Sequence, residues 1–278
     1  MGITVNEDGI RAGQIIRRMP NGSLEFNRDS LTVEEPLEIR IGDKTLATTM
    51  RTPGHDEELA AGFLLSEGIV RTRDSISKFS SRKNVVVVDL LPGTKTKLKS
   101  VHRFGTISSS CGICGKTSIS AIQQNFPPIK STHLRLDIDT LVALPELLRK
   151  EQSDFARTGG IHAAAIFDIN GKLRAVREDI GRHNAVDKAI GREFLNGHVP
   201  LDRHVLLVSG RASFEIMQKA LAAGIPIVAA ISAPSTLAVS FAREANQTLI
   251  GFLRPPSFNI YSHVERVILG ERENSPPS

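Results

Sequence analysis

A chain of 278 residues can bury a substantial core as one large or two smaller domains, and its 40% hydrophobic and 23% charged content is ordinary for a globular protein. No apolar window is long enough to cross a bilayer. The opening residues, with Asn6, Glu7 and Asp8, carry no signal-peptide pattern, and two cysteines cannot build a secreted disulfide framework, so a reducing cytoplasm is expected. The formal charge of +5 favours anionic partners, yet with no Trp, one tyrosine and no lysine-arginine run the chain suits a phosphorylated small molecule better than nucleic acid.

Residues 1–30 are mixed and polar around a Pro20-Asn21-Gly22 turn and read as a loosely held N-terminal arm. A small α+β domain is expected over 31–128. Leu37, Ile39 and Ile41 alternate with polar residues, and Gly42-Asp43 turns the chain into Thr45 to Met50, which predicts a β-hairpin. Thr52-Pro53-Gly54-His55-Asp56 opens a helix whose apolar Leu59, Phe63 and Leu64 repeat at helical spacing, and Gly68 closes it. Val85 to Leu91 reads as a buried strand, followed by the basic segment Lys95 to Arg103. His55 and His102 read as solvated.

Next comes Ser108-Ser109-Ser110-Cys111-Gly112-Ile113-Cys114-Gly115-Lys116, which holds the only two cysteines. Ile119, Ile122 and Phe126 then fall at helical spacing, so a helix is expected to begin near Lys116. A thiolate at a helix N-terminus beside a lysine is stabilised, which lowers its pKa and raises its reactive fraction near neutrality. The alternative is a pair of small core fillers. A glycine-framed pair favours sulfur chemistry.

After Pro127-Pro128, a second domain is expected over 129–270, with a disordered tail at 271–278. Leu141 to Leu148 reads as a helix, Ile161 to Asp168 as a strand, and Leu173 to Val176 as its antiparallel return across Asn170-Gly171. A helix opens near Gly181. Val205 to Val208, Ile227 to Ile231 and Thr248 to Leu253 are strands, separated by a helix carrying Phe214, Met217 and Leu221 and another over Leu237 to Ala245. That alternation predicts parallel strands joined by crossovers, hence a three-layer α/β/α domain.

Ligands of such sheets collect beyond the carboxyl ends of the strands, against helix N-termini. Three loops fit: Asp179 to Asn184, Ser209 to Ser213, and Ser232 to Thr236. Arg182 and Arg211 can grip phosphate, while plain helix capping is the competing explanation. Zinc is not expected. The cysteines precede His162 and His183, and both Ile161-His162-Ala163-Ala164 and Arg182-His183-Asn184-Ala185 place alanine where a zinc deaminase needs its glutamate.

Taken together, Leu59 to Gly68, Cys111-Gly112-Ile113-Cys114-Gly115, Thr158 to Ala165, Glu178 to Lys188 and Ser209 to Glu215 resemble the FdhD/NarQ family, the sulfur-carrier accessory proteins of formate dehydrogenase. The resemblance runs from about Glu34 to His263. It implies a cytidine-deaminase-like α/β/α domain without the zinc site, preceded by the smaller α+β domain, in a cytoplasmic homodimer. It implies that Cys111 takes sulfur from a cysteine desulfurase as a persulfide and passes it to the molybdenum of the bis-molybdopterin guanine dinucleotide cofactor, with Cys114 assisting, before that cofactor enters formate dehydrogenase.

The family's nucleotide-contacting segment maps onto Phe252-Leu253-Arg254-Pro255-Pro256-Ser257. The cofactor's pyrophosphates would account for the loops carrying His183, Ser209, Arg211 and Ser213. This chain has Pro256 and Ser257 where the family commonly has a glycine-containing, more basic turn, and proline removes a backbone donor. A non-catalytic cofactor chaperone and a dithiol redox protein are the competing functions.

Overall fold

The structure, a computed structural model, describes residues 9–94, 126–130 and 133–269. Residues 10–32, most of which belong to the loosely held arm expected over 1–30, instead form a hairpin. In it β1 (Ile10–Arg18) pairs antiparallel with β2 (Leu24–Thr32), from Ile10↔Thr32 to Arg18↔Leu24. Apolar alternation reports burial of one face, and this ribbon buries little, so its pattern does not announce it.

β3 (Glu35–Ile41) and β4 (Lys44–Arg51) make the expected hairpin, and α1 (Asp56–Ser66) follows. β5 (Ile76–Arg82), unread in the sequence, is an edge strand; β6 (Val85–Leu90) pairs parallel with β3, giving the order β4-β3-β6-β5. β7 (Leu136–Asp137) leads into α2 (Ile138–Glu151), where Asp137 caps the helix by accepting from Asp139 N at 2.8 Å, and the short α3 (Ser153–Thr158) follows.

The chain continues through β8 (His162–Asp168), β9 (Leu173–Asp179), α4 (Arg182–Leu195), β10 (His204–Val208) and α5 (Phe214–Ala222). It is completed by β11 (Ile227–Ala230), α6 (Thr236–Glu244), β12 (Thr248–Arg254), β13 (Ser257–Ser262) and β14 (Val267–Ile268), the last pairing with β7. The six-stranded sheet has the order β13-β12-β11-β10-β8-β9. It is mixed rather than parallel. Only β10, β11 and β12 run together, because the β8–β9 hairpin enters antiparallel to β10 and β13 folds back on β12.

Alternate residues of each strand feed two cores. Leu206, Val208 and Val228 face α4, α5 and α6, while Leu207, Ala229 and Ile250 face Leu141, Leu144 and Leu148 of α2. The first core is continuous with Leu37, Ile39, Val86 and Val88 of the four-stranded sheet. Helix α1 is the shared layer: every residue from Leu59 to Ser66 is buried, as expected of a helix covered on all sides. It meets α4 at two glycines. A β-carbon on Gly62 would lie 2.0 Å from Asp187 O, and one on Gly191 would lie 1.8 Å from Glu58 O. Beside this crossing, Lys219 Nζ donates to Asp187 Oδ1 and Oδ2 at 2.8 and 2.6 Å, and Ser66 Oγ donates to Asp187 Oδ1 at 3.1 Å, tying α1, α4 and α5 together.

Candidate functional site

One edge of the six-stranded sheet gathers the ends of β9, β10, β11 and β12 with the starts of β8 and β13. Ser209 leaves β10 beside His162 at the start of β8: Ala163 N donates to Ser209 Oγ at 2.9 Å, and Ser209 N donates to Ala163 O at 2.9 Å. Gly210 packs on this pair. A β-carbon there would stand 3.4 Å from His162 Nδ1 and 3.5 Å from both Cβ and Cδ of Arg182. Burial, then the charge of Arg182, with His183 and Arg211 close by, holds His162 below the ordinary imidazole range against the opposing pull of Asp179. His162 is therefore neutral at pH 7.

The three loops differ in how their helices begin. At α6 the Ser235 hydroxyl accepts from Ala238 N at 3.2 Å, which is plain capping. At α5 the corresponding Ser213 makes no cap bond; its hydroxyl lies 3.2 Å from His183 Nε2, which also sits 2.9 Å from Glu215 Oε2. At α4 the cap position is Gly181, which has no side chain to offer. Two helix N-termini thus lack a side-chain cap in the region of Arg182 and Arg211, an arrangement able to receive an anion.

The turn before α4 is set from beneath. Buried Asp179 accepts from Gly181 N at 2.8 Å, Asn184 Nδ2 at 3.0 Å and Thr52 N at 3.2 Å, and pairs with Lys188 Nζ at 2.7 Å. Burial pushes the Asp179 carboxyl up, and Lys188 pulls it back. Asn184 Nδ2 also donates to Met50 O at 2.7 Å, and Ile180 N donates to Thr52 Oγ1 at 3.1 Å. The end of β4 is thereby locked into the site's floor.

On the neighbouring strands, Phe252 N donates to Ser232 O at 3.1 Å and Arg254 Nε donates to Ile231 O at 3.1 Å. Ser235 N reaches Ala212 O at 3.0 Å, so the loops after β10 and β11 and the end of β12 form one connected rim. Phe252 has φ +51°, within an irregularity of the β12–β13 register between Gly251 and Arg254. This twist leaves Phe252 and Arg254 both exposed, with the guanidinium 5.9 Å from the ring centroid, while Leu253 between them is fully buried. Pro255 and Pro256 contribute no backbone donor, and Ser257 opens β13 in solvent.

The residues singled out in the sequence divide accordingly. His183 and Ser213 come together, Ser209 bonds to the start of β8 beside Gly210, and Arg211 is exposed in the same loop. Phe252, Arg254 and Ser257 form the far end of the rim, and Leu253 belongs to the core. Cys111 and Cys114 lie outside the described residues. Glu215, which closes the Ser209 to Glu215 motif, is not among the site residues expected from the sequence, although its position two residues after Ser213, in the first turn of α5, is the signal that points to it. His55, read as solvated, is exposed, 3.6 Å from Glu58 Oε2, and the desolvation it does suffer, with the charge of Arg177, holds it below the ordinary range.

Among the described residues no three His, Cys, Asp or Glu side chains converge on a metal position. A separate hollow of about 350 Å³ lies between Pro53–His55, α3 and β9. Its Lys188 and Arg177 are already paired, with Asp179 and with Glu58. No helix among the described residues is long and apolar enough to cross a membrane.

Comparison with known proteins fits this architecture. The chain is 50% identical over 267 residues to the sulfur carrier protein FdhD of Mycobacterium tuberculosis, covering 91% of this chain and 96% of that one. It is 48% identical over 264 residues to the protein of the same name from Streptomyces coelicolor (91% and 94%), and 46% over 244 residues to that from Sulfurisphaera tokodaii (86% and 92%). A crystal structure described as that of a formate dehydrogenase accessory protein from Desulfotalea psychrophila shares the fold, with a TM-score of 0.76 and 21% identity, covering 94% of this chain and 100% of that one. The family model for FdhD/NarQ matches residues 32–268, and with relatives near half identical across nine-tenths of its length, this chain belongs to the FdhD/NarQ family.

Proposed function

We propose that this protein is a sulfur carrier of formate dehydrogenase maturation, a sulfurtransferase acting through Cys111. It works as a cytoplasmic homodimer, takes persulfide sulfur from a cysteine desulfurase and delivers it to the bis-molybdopterin guanine dinucleotide cofactor, which is its substrate. Relatives that carry the name sulfur carrier support the class. The observation that carries the acceptor half is the rim: two helix N-termini without side-chain caps, Arg182, Arg211 and Arg254, and an exposed Phe252.

That set of donors fits the cargo. The α4 and α5 N-termini with Arg182 and Arg211 suit pyrophosphate oxygens, and Gly210 keeps the approach open. Phe252 and Arg254 offer a planar surface for a base. Neutral His162 can accept a hydrogen bond there without adding charge. The molybdenum belongs to the cargo and is the sulfur's destination.

In the loading step the Cys111 thiolate attacks the terminal sulfur of the desulfurase persulfide. A new S–S bond forms on Cys111, the old one breaks, and the desulfurase cysteine leaves as thiolate. Lys116, close by in the sequence, favours that thiolate. Cys114, three positions along the chain, is the candidate to assist by exchange with the persulfide.

The test is mass spectrometry after incubation with a purified desulfurase and cysteine. An adduct of about 32 Da, one sulfur on the persulfide branch of thiol chemistry, is expected on Cys111 and absent from Cys111→Ala. The same variant should fold normally yet leave formate dehydrogenase inactive in cells. Guanine-nucleotide binding without any adduct would instead identify a cofactor chaperone.

A further inference from the structure

None of the site residues described above lies on the N-terminal hairpin, and its two faces differ sharply. The register places Ala12, Gln14, Ile16 and Arg18 on the same side as Ser30, Arg28, Phe26 and Leu24. On that face Phe26 is 91% exposed, Leu24 68% and Ile16 61%, so its large apolar side chains stand mostly in solvent. Arg18 and Arg28 flank them, and the face carries no acid; Glu25 and Asp29 point to the other side. The base of the ribbon is fixed. Val33 N donates to Gly9 O at 2.8 Å, Thr32 Oγ1 donates to Thr158 Oγ1 at 3.1 Å, and Arg11 pairs with Glu35 at 3.0 Å. Among the described residues β1 and β2 pair only with each other.

An isolated two-stranded ribbon is marginal in water, and an aromatic left in solvent on one is the usual mark of an interaction surface. We infer that this face docks a protein partner whose own surface offers an apolar notch bordered by carboxylates. Charge selects that occupant. A second copy joined by a two-fold axis through this face would oppose Arg18 and Arg28 to themselves with no acid to answer them. A bilayer would meet the polar turn Pro20-Asn21-Gly22-Ser23 first, ahead of Leu24, Phe26 and Ile16. Single-stranded nucleic acid would find one aromatic platform only. An acidic protein surface satisfies both arginines and covers all three apolar side chains.

The choice of probes rests on the proposed function: a purified cysteine desulfurase and purified formate dehydrogenase lacking its cofactor, each titrated by calorimetry at low and high salt. The variants are Phe26→Ser with Ile16→Thr, Arg18→Glu with Arg28→Glu, and Glu25→Gln on the opposite face as control. One probe should bind the wild-type chain in a salt-sensitive way, lose about tenfold or more of its affinity to each double variant, and be unaffected by the control. Failure of both probes to bind, or unchanged affinity in the double variants, overturns the proposal. So does a homodimer that dissociates in those variants, or retention on anionic vesicles or on an oligonucleotide that they abolish. Persulfide formation on Cys111 from a small-molecule sulfane donor needs no docked protein. If it fails while docking holds, the sulfur-carrier reading falls alone; if it succeeds while docking is insensitive to the variants, only the docking face falls.

Discussion

Gly62 on α1 and Gly191 on α4 meet back to back at the helix crossing, where a β-carbon on Gly191 would stand 2.9 Å from Gly62 N and 1.8 Å from Glu58 O. The opposing atoms are backbone, so no side-chain rotation relieves the clash. Gly191→Ala should therefore separate the four-stranded sheet's helix from the six-stranded sheet's helix layer. The expected cost is about 3 kcal/mol, at the upper end for an overpacked core. A urea titration measures it, and a midpoint like that of the wild type would show that the helices can slide apart freely.

The ion pair beside that crossing predicts asymmetric mutants. Lys219→Met strands a buried Asp187 with Ser66 as its remaining side-chain donor, and such a broken pair costs about 3–5 kcal/mol. Asp187→Leu combined with Lys219→Met should recover most of that loss, since neither charge then stays buried alone. Thermal unfolding of both variants gives the comparison. Equal losses in the single and double mutants would mean the pair contributes through shape rather than charge.

His162 gives a pH dependence of definite sign. Its folded pKa lies below the ordinary value, so the unfolded chain binds the proton more readily. Its stabilising contribution is present above the ordinary histidine pKa, near about 6.5, and is lost as pH falls through the lowered folded value. His55 and His204, lowered first of all by burial, act in the same direction. Chemical denaturation from pH 7.5 down to about 5.5 should show declining stability, and His162→Gln should flatten part of the slope. A midpoint that climbs on acidification would contradict the assignment.

At the rim, Arg211→Ala and Arg254→Ala should each weaken guanosine diphosphate binding by about tenfold or more, the scale of a lost charged hydrogen bond. The two residues sit at separate positions along the rim, one after β10 and one at the end of β12. Their losses should add in the double variant. Calorimetry with the nucleotide decides this, and unaltered affinity in both would remove the rim from nucleotide binding.

Elements that bury apolar side chains were legible in the sequence. The β3–β4 hairpin, α1, α5 and the strands β10, β11 and β12 all fall where apolar periodicity put them, because their periodicity and their burial have the same cause. Residues 10–32 failed that reading because Ile16, Leu24 and Phe26 are apolar and yet exposed. β5 failed because Ile76 is its only fully buried residue. The loops of the rim were legible from Gly181, Ser209-Gly210 and their arginines. The floor beneath them was not, since Thr52 and Asp179 are 127 positions apart and nothing local marks the bond between them. Nor could spacing reveal that Ser213 turns to His183 while Ser235 caps its helix. Both are serines before a helix, and the difference lies in which partner the fold brings near.

Phe252 is held at a backbone angle that any residue with a β-carbon adopts reluctantly, and glycine or asparagine would sit there at ease. If Phe252 stacks on a base as proposed, heat resistance and cargo recognition select in opposite directions at one codon. Laboratory evolution rewarded only for surviving high temperature should drift towards glycine at 252, and the survivors would be hardy proteins with nothing left to lay a purine against.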